Sequence, residues 1–147
     1  MGRRYMSSAI NLAVTDSGDF LQLRNGASTV VEIHEVRVFQ TTDTALNPNG
    51  INFRRGVGGD GGVGHTEWKY DVSSPDAGVA SFDQATTDVG TVDLHLVFGW
   101  NLLQEFVWLA TPQQRIWLAA DDHFGVALSD DDTITMGWFI HWEEWGI

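Results

Sequence analysis

The sequence predicts an all-β protein, a two-layer antiparallel β-sandwich of jelly-roll type with two long loops. Segments rich in β-branched and aromatic residues alternate apolar with polar positions, as strands with one buried face require. Clusters of Gly, Asn, Asp and Pro separate them, and these residues supply turn geometry. About eight such segments fit within 147 residues, a number that suits two packed layers.

The first strand is expected over Ala9 to Val14, and Asp16, Ser17 and Gly18 turn the chain into a second, Phe20 to Arg24. Asn25 and Gly26 both tolerate positive φ, so a two-residue hairpin turn is expected before Ser28 to Gln40. In that third strand, period-two geometry places Val31, Ile33 and Phe39 on the face opposite Glu32 and His34. A long connection from Thr41 to Thr66 holds the turn formers Asn47, Pro48, Asn49 and Gly50. Glu67 to Val72 alternates again. A second long connection, Ser73 to Gly90, passes Ser74, Pro75 and Asp76 and leads to a strand at Thr91 to Phe98. Leu102, Leu103, Phe106 and Leu109 share a helical face with Asn101 placed to cap it, so residues 101–110 read as a helical turn or as irregular chain. Strands at Arg115 to Ala119 and Phe124 to Ala127 follow, and Asp130, Asp131 and Asp132 turn the chain into a last strand, Thr133 to Trp142. That strand and its tail carry Trp138, Trp142 and Trp145, whose apolar surfaces must pack on something, in part another subunit. The whole reads as one domain, residues 1–147, with an extended N-terminal arm over residues 1–8 or so.

Net charge is −12, from 20 acidic and 8 basic side chains. The residues up to Asp60 hold 6 of each and balance, whereas those from Gly61 onward hold 14 acids against Lys69 and Arg115. So acidic a surface repels phosphate backbones, which excludes nucleic acid as a partner despite the Arg3–Arg4 and Arg54–Arg55 pairs. The absence of cysteine removes disulfides, thiolate nucleophiles and Cys-type zinc sites together. No apolar run approaches the roughly 20 residues that span a bilayer, and Met1 to Tyr5 leads into no signal core. A soluble, unprocessed protein with no membrane partner is expected.

Gly56, Gly58 and Gly61 match the spacing of a dinucleotide fingerprint, and Gly59 with Gly64 nearly matches a phosphate-binding loop. Both need a helix to follow, yet the next segment alternates like a strand, and His65 stands where the phosphate loop needs lysine; a surface loop is the better account. The histidines show no His-x-x-x-His pair, although His34, His95 and His141 on strands could converge in space. Asp121, Asp122 and His123, like Asp130 to Asp132, lack the spacing of a calcium loop. Glu143 with Glu144, or Glu32 with Glu35, could form an acid and base pair, but 20 acids make accidental neighbours inevitable. No Gly-x-Ser-x-Gly elbow is present. No catalytic residue, metal or cofactor is assigned, and the chain reads as a non-enzyme. Trp68, Trp100, Trp108 and Trp117 complete the seven tryptophans, mostly core or subunit contacts, while Trp68 or Trp145 would serve as a stacking platform in a glycan-binding module.

A set of landmarks occurs in order along most of the chain: Met1 to Tyr5, Ala13-Val14-Thr15, Val31 to Ile33, Gln40 to Asp43, Arg55-Gly56, Gly99-Trp100, Ala110 to Arg115, Thr135-Met136-Gly137 and Glu143-Glu144. In this the sequence resembles a family of small virion structural proteins of tailed bacteriophages. The resemblance implies a capsid decoration, or cement, protein that binds the exterior of the phage capsid as an oligomer, with the major capsid protein as partner. A homotrimer is the expected assembly. Arg3, Arg4, Tyr5, Arg54 and Arg55 are the expected capsid contacts, because termini and long loops reach beyond a sandwich. Trp138, Trp142 and Trp145 are the expected subunit contacts. A receptor- or glycan-binding virion module is the alternative.

Overall fold

Twelve strands, with no helix among the described residues, build two six-stranded sheets in the computed structural model, which describes residues 2–15, 17–41, 48–131 and 133–146. The first sheet contains β1 (Arg3–Val14), β3 (Thr29–Gln40), β6 (Trp68–Lys69), β9 (Phe106–Leu109), β10 (Ile116–Leu118) and β12 (Ile134–Gly146). The second contains β2 (Asp19–Asn25), β4 (Pro48–Val57), β5 (Val63–His65), β7 (Val79–Asp83), β8 (Gly90–Asn101) and β11 (His123–Leu128). All the strand pairings are antiparallel.

The topology is a jelly roll. β1 pairs with β12, β2 with β11, β3 with β9 and β4 with β8, so the chain is a nest of hairpin partners rolled into two layers. The resulting orders are β1-β12-β3-β9 and β2-β11-β4-β8. Residues 58–89, between β4 and β8, return to the far edge and add β6 beside β1 and β7 with β5 beside β2. The core fills from both inner faces: Tyr5, Ile33, Val36, Val38, Trp138, Ile140 and Trp142 from the first sheet, and Leu21, Leu23, Ile51, Phe53, Phe124 and Val126 from the second. Phe53 sits at its centre, edge-on to Phe98, Phe106, Trp108 and Phe124.

Several local expectations give way to the fold. The Thr41 to Thr66 connection contains β4, an interior strand of the second sheet; Pro48 and Gly50 read as a turn, but Pro48 is the first residue of the strand, where no ladder bond is lost. β7 likewise lies inside the Ser73 to Gly90 connection. Asn25 and Gly26 make no hairpin, because β2 and β3 belong to different sheets. The Asn25 amide instead donates to Thr29 O (2.8 Å) and Ala119 O (2.7 Å), fixing the corner where the chain changes layer. Asn101 does cap one turn, accepting from Leu103 N at 3.1 Å, but Phe106–Leu109 is a strand with Phe106 and Trp108 packed on the core.

Among the described residues, the expected N-terminal arm is strand: Arg3 onward belongs to β1. β1 pairs with β12 from Arg3↔Glu144 onward, Tyr5 is fully buried with its ring stacked 6.0 Å from Trp142, and its hydroxyl donates to Pro75 O at 3.0 Å. Phe39 also changes sides. A bulge in β3 leaves His34 without a partner between Ile33↔Trp142 and Glu35↔His141, which shifts the alternation by one residue. Val36 and Val38 therefore enter the core, while Arg37 and Phe39 face away from it.

Candidate functional site

The bulge creates a polar cluster on the outer face of the first sheet. Strict alternation would put Glu35 on the core side; the extra residue brings Glu32, His34 and Glu35 to one face. Opposite them on β12 stand Glu143 and His141, which pair in register with Glu32 and Glu35. His34 Nε2 lies 3.6 Å from Glu32 Oε1 and 3.7 Å from Glu143 Oε2, and it makes no hydrogen bond. Arg115 Nη1 donates to Glu32 Oε1 at 2.6 Å and the Trp145 indole to Glu32 Oε2 at 3.3 Å. Arg4 Nε is 3.9 Å from Glu143 Oε2. The rings continue from His34 to His141 (5.1 Å between centroids) and on to Tyr70 (4.9 Å). Among the described residues, Glu32, His34 and Glu143 are the group able to hold a metal ion, with donor atoms within 4.8 Å of one another.

Burial lowers the pKa of both histidines, because water no longer stabilises the imidazolium. For His34 the Arg115 guanidinium adds to this while Glu32 and Glu143 oppose it. His141 is lowered to about 4, by burial first and by His34 second. Both rings are therefore neutral at pH 7, between carboxylates and arginines.

Around this cluster the face is aromatic and apolar. Trp68, Tyr70, Trp117 and Trp145 are exposed, as are Val107 and Leu109 on β9. Trp68 pairs with Met6 of β1 and Trp117 with Glu32 of β3, which puts both rings on the face that carries the cluster. A cleft of about 410 Å³, lined by Arg3, Arg4, Tyr70, Asp71 and Pro75 among others, opens beside it.

The residues singled out from sequence scatter. Trp138 and Trp142 are wholly buried in the monomer core and so cannot be subunit contacts; alternation turns them inward and only Trp145 outward. Tyr5 is core for the same reason. Arg3 and Arg4 lie on the first sheet and Arg54 and Arg55 on the second, so the four guanidinium groups form no single patch. Arg54 Nη2 is 2.7 Å from the buried Asp19, and Arg55 bonds Asp93 (2.8 Å) and Trp117 O (2.8 Å). His34 and His141 do meet, while His95 sits on β8 of the other sheet, 3.4 Å from Asn52 Oδ1. Glu143 and Glu144 point to opposite faces: Glu144 turns inward and accepts from Gly78 N, Val79 N and the Trp142 indole. The Asp130 turn is described only in part, since Asp132 lies outside the described residues. No helix follows the glycines at 56–61, which lead instead into β5.

Sequence reading missed the joining of Glu32-x-His34 to His141-x-Glu143. Each is a pair two residues apart on a strand, hence on one face, and their mirrored order was the available signal. Comparison with protein-family models, with curated proteins and with solved structures gives no match to this chain.

Proposed function

We propose that the protein is a non-catalytic structural component of a phage virion, a decoration protein that seats on the capsid exterior as a homo-oligomer. The observation that carries this reading is the outer face of the first sheet, where Trp68, Tyr70, Val107, Leu109, Trp117 and Trp145 stay exposed on a chain of net charge −12. Exposed aromatic and aliphatic side chains gathered on one face mark a surface that another protein covers. The ordered resemblance to phage virion proteins supports the choice of partner, and jelly-roll architecture is common among capsid domains. The contacts move accordingly, from the expected arm and buried tryptophans to this face.

The test is co-sedimentation of the purified chain with phage heads lacking it, together with light scattering of the chain alone. The double variant Leu109→Asp, Trp117→Asp changes two exposed side chains and leaves the core intact. It is expected to lose at least tenfold in head occupancy with an unchanged circular dichroism spectrum. Wild-type occupancy in that variant, or a monomer that never sediments with heads, refutes the reading.

Glycan binding is favoured by one observation, the exposed rings of Trp68 and Tyr70 beside the cleft at Arg3 and Arg4. Aromatic faces of this kind stack on sugar rings. A glycan array that lights up with the wild type and not with Trp68→Ala would establish it in place of capsid decoration.

A further inference from the structure

We propose that Glu32, His34 and Glu143 form a binding site for a first-row divalent cation of the zinc type, seated between β3 and β12 on the outer face of the first sheet. Three donor atoms from two strands converge there, Glu32 Oε1, Glu143 Oε2 and His34 Nε2. The independent pointer is the histidine. His34 is only 8 % exposed, yet its Nε2 has no hydrogen bond and faces two carboxylate oxygens from 3.6 Å and 3.7 Å. Those separations are too long for hydrogen bonds, and a buried polar atom left unsatisfied costs about 1–3 kcal/mol, so native structures seldom keep one without use.

The spacing suits an ion. A tetrahedral zinc with bonds of about 2.0–2.1 Å holds its donors about 3.4 Å apart, so His34 Nε2 need approach each carboxylate by only a few tenths of an ångström, while the two carboxylates, whose donor atoms lie within 4.8 Å, would draw together around the ion. The donor set favours zinc and its neighbours over calcium or magnesium, which prefer oxygen alone. The surroundings are those of a supported site. Glu32 is oriented by Arg115 Nη1 (2.6 Å) on Oε1 and by the Trp145 indole (3.3 Å) on Oε2, as outer partners fix metal-binding carboxylates. Arg4 Nε approaches Glu143 Oε2 only to 3.9 Å, and its side chain is largely exposed, free to swing away as a cation enters. Three protein ligands leave a fourth position for water or for a group from a bound partner. The site has a structural consequence as well: an ion there would tie the β3 bulge to β12, fixing the face described above.

The experiment uses the full chain, stripped with a chelator and titrated with zinc chloride by calorimetry, with thermal unfolding followed in parallel. One zinc per chain, a zinc-dependent rise in Tm, and at least tenfold weaker binding of calcium and magnesium are expected. His34→Gln and Glu143→Gln should each weaken zinc binding at least tenfold, whereas His95→Gln, on the other sheet, should leave it unchanged. Two separate ligand variants keep the test open if one fails to fold. Absence of zinc uptake by the wild type, or undiminished, wild-type uptake by both ligand variants, overturns the proposal, as does loss of uptake in His95→Gln alone. Because the titration uses the isolated chain, its outcome is independent of capsid binding.

Discussion

Glu144 is the side chain whose removal should most directly unfasten the insertion from the sandwich. It is 5 % exposed, and its carboxylate accepts from Gly78 N (2.9 Å), Val79 N (3.2 Å) and Trp142 Nε1 (3.0 Å), joining β12 to the start of β7. Glu144→Ala strands all three donors. Gly78 is exposed and water can replace its partner, but Val79 N and the indole nitrogen remain dry. At about 1–3 kcal/mol for each of these two unsatisfied buried donors, the expected cost is about 2–6 kcal/mol. Glu144→Gln keeps the shape and one good acceptor, loses the charge and turns an NH₂ group toward a backbone N–H, so about 1–2 kcal/mol is expected. Urea unfolding followed by tryptophan fluorescence measures this; with an m-value of about 2 kcal/mol/M, the alanine variant should lose about 1–3 M in midpoint. Hydrogen exchange at the Val79 amide should quicken more than exchange in β11. A midpoint within about 0.25 M of wild type, or unchanged protection at Val79, would refute the reasoning.

Asp19→Ala should cost about 2–4 kcal/mol by chemical denaturation, since Asp19 is buried and accepts from Arg54 Nη2 (2.7 Å), Gln22 Nε2 (2.8 Å) and Val89 N (2.9 Å). A double variant with Arg54→Met should recover part of that loss, because the stranded guanidinium goes with it. His123 gives a pH signature. Burial first, and Arg24 second, lower its pKa in the folded chain, so the unfolded chain binds the proton first as pH falls. Its stabilising contribution is therefore complete above the ordinary value of about 6.5 and declines as pH drops from there through the folded pKa. His123→Gln should show a shallower fall in stability between neutral pH and pH 5 than the wild type, in urea titrations at stepped pH.

The two-layer fold could be read from the sequence because several strands carry one apolar face each: Leu21 and Leu23, Phe124 and Val126, Trp138, Ile140 and Trp142 recur at every second position. β4 was lost to its own composition, since Pro48, Asn49, Gly50, Arg54 and Arg55 outweigh Ile51 and Phe53 when propensity is summed locally. β9 was ambiguous for a different reason. Leu102, Leu103, Phe106 and Leu109 fit a helical stripe, and Phe106 with Trp108 fit alternation equally; packing on Phe53 decides between them. The polar cluster was half visible. Glu32 with His34 and His141 with Glu143 each announce a shared face, but their meeting depends on the β3–β12 register and on the bulge at His34, both set by contacts more than 100 residues apart in sequence.

The nested pairing of β1 with β12 bears on how the molecule is made. β12 lies between β1 and β3, so on the ribosome both of those strands have unsatisfied edges until the 13 residues of β12 have left the tunnel. Such an order of synthesis favours a nascent chain that stays apart from its copies, and the acid-rich stretch from Gly61 onward provides that repulsion while the sheet waits to close.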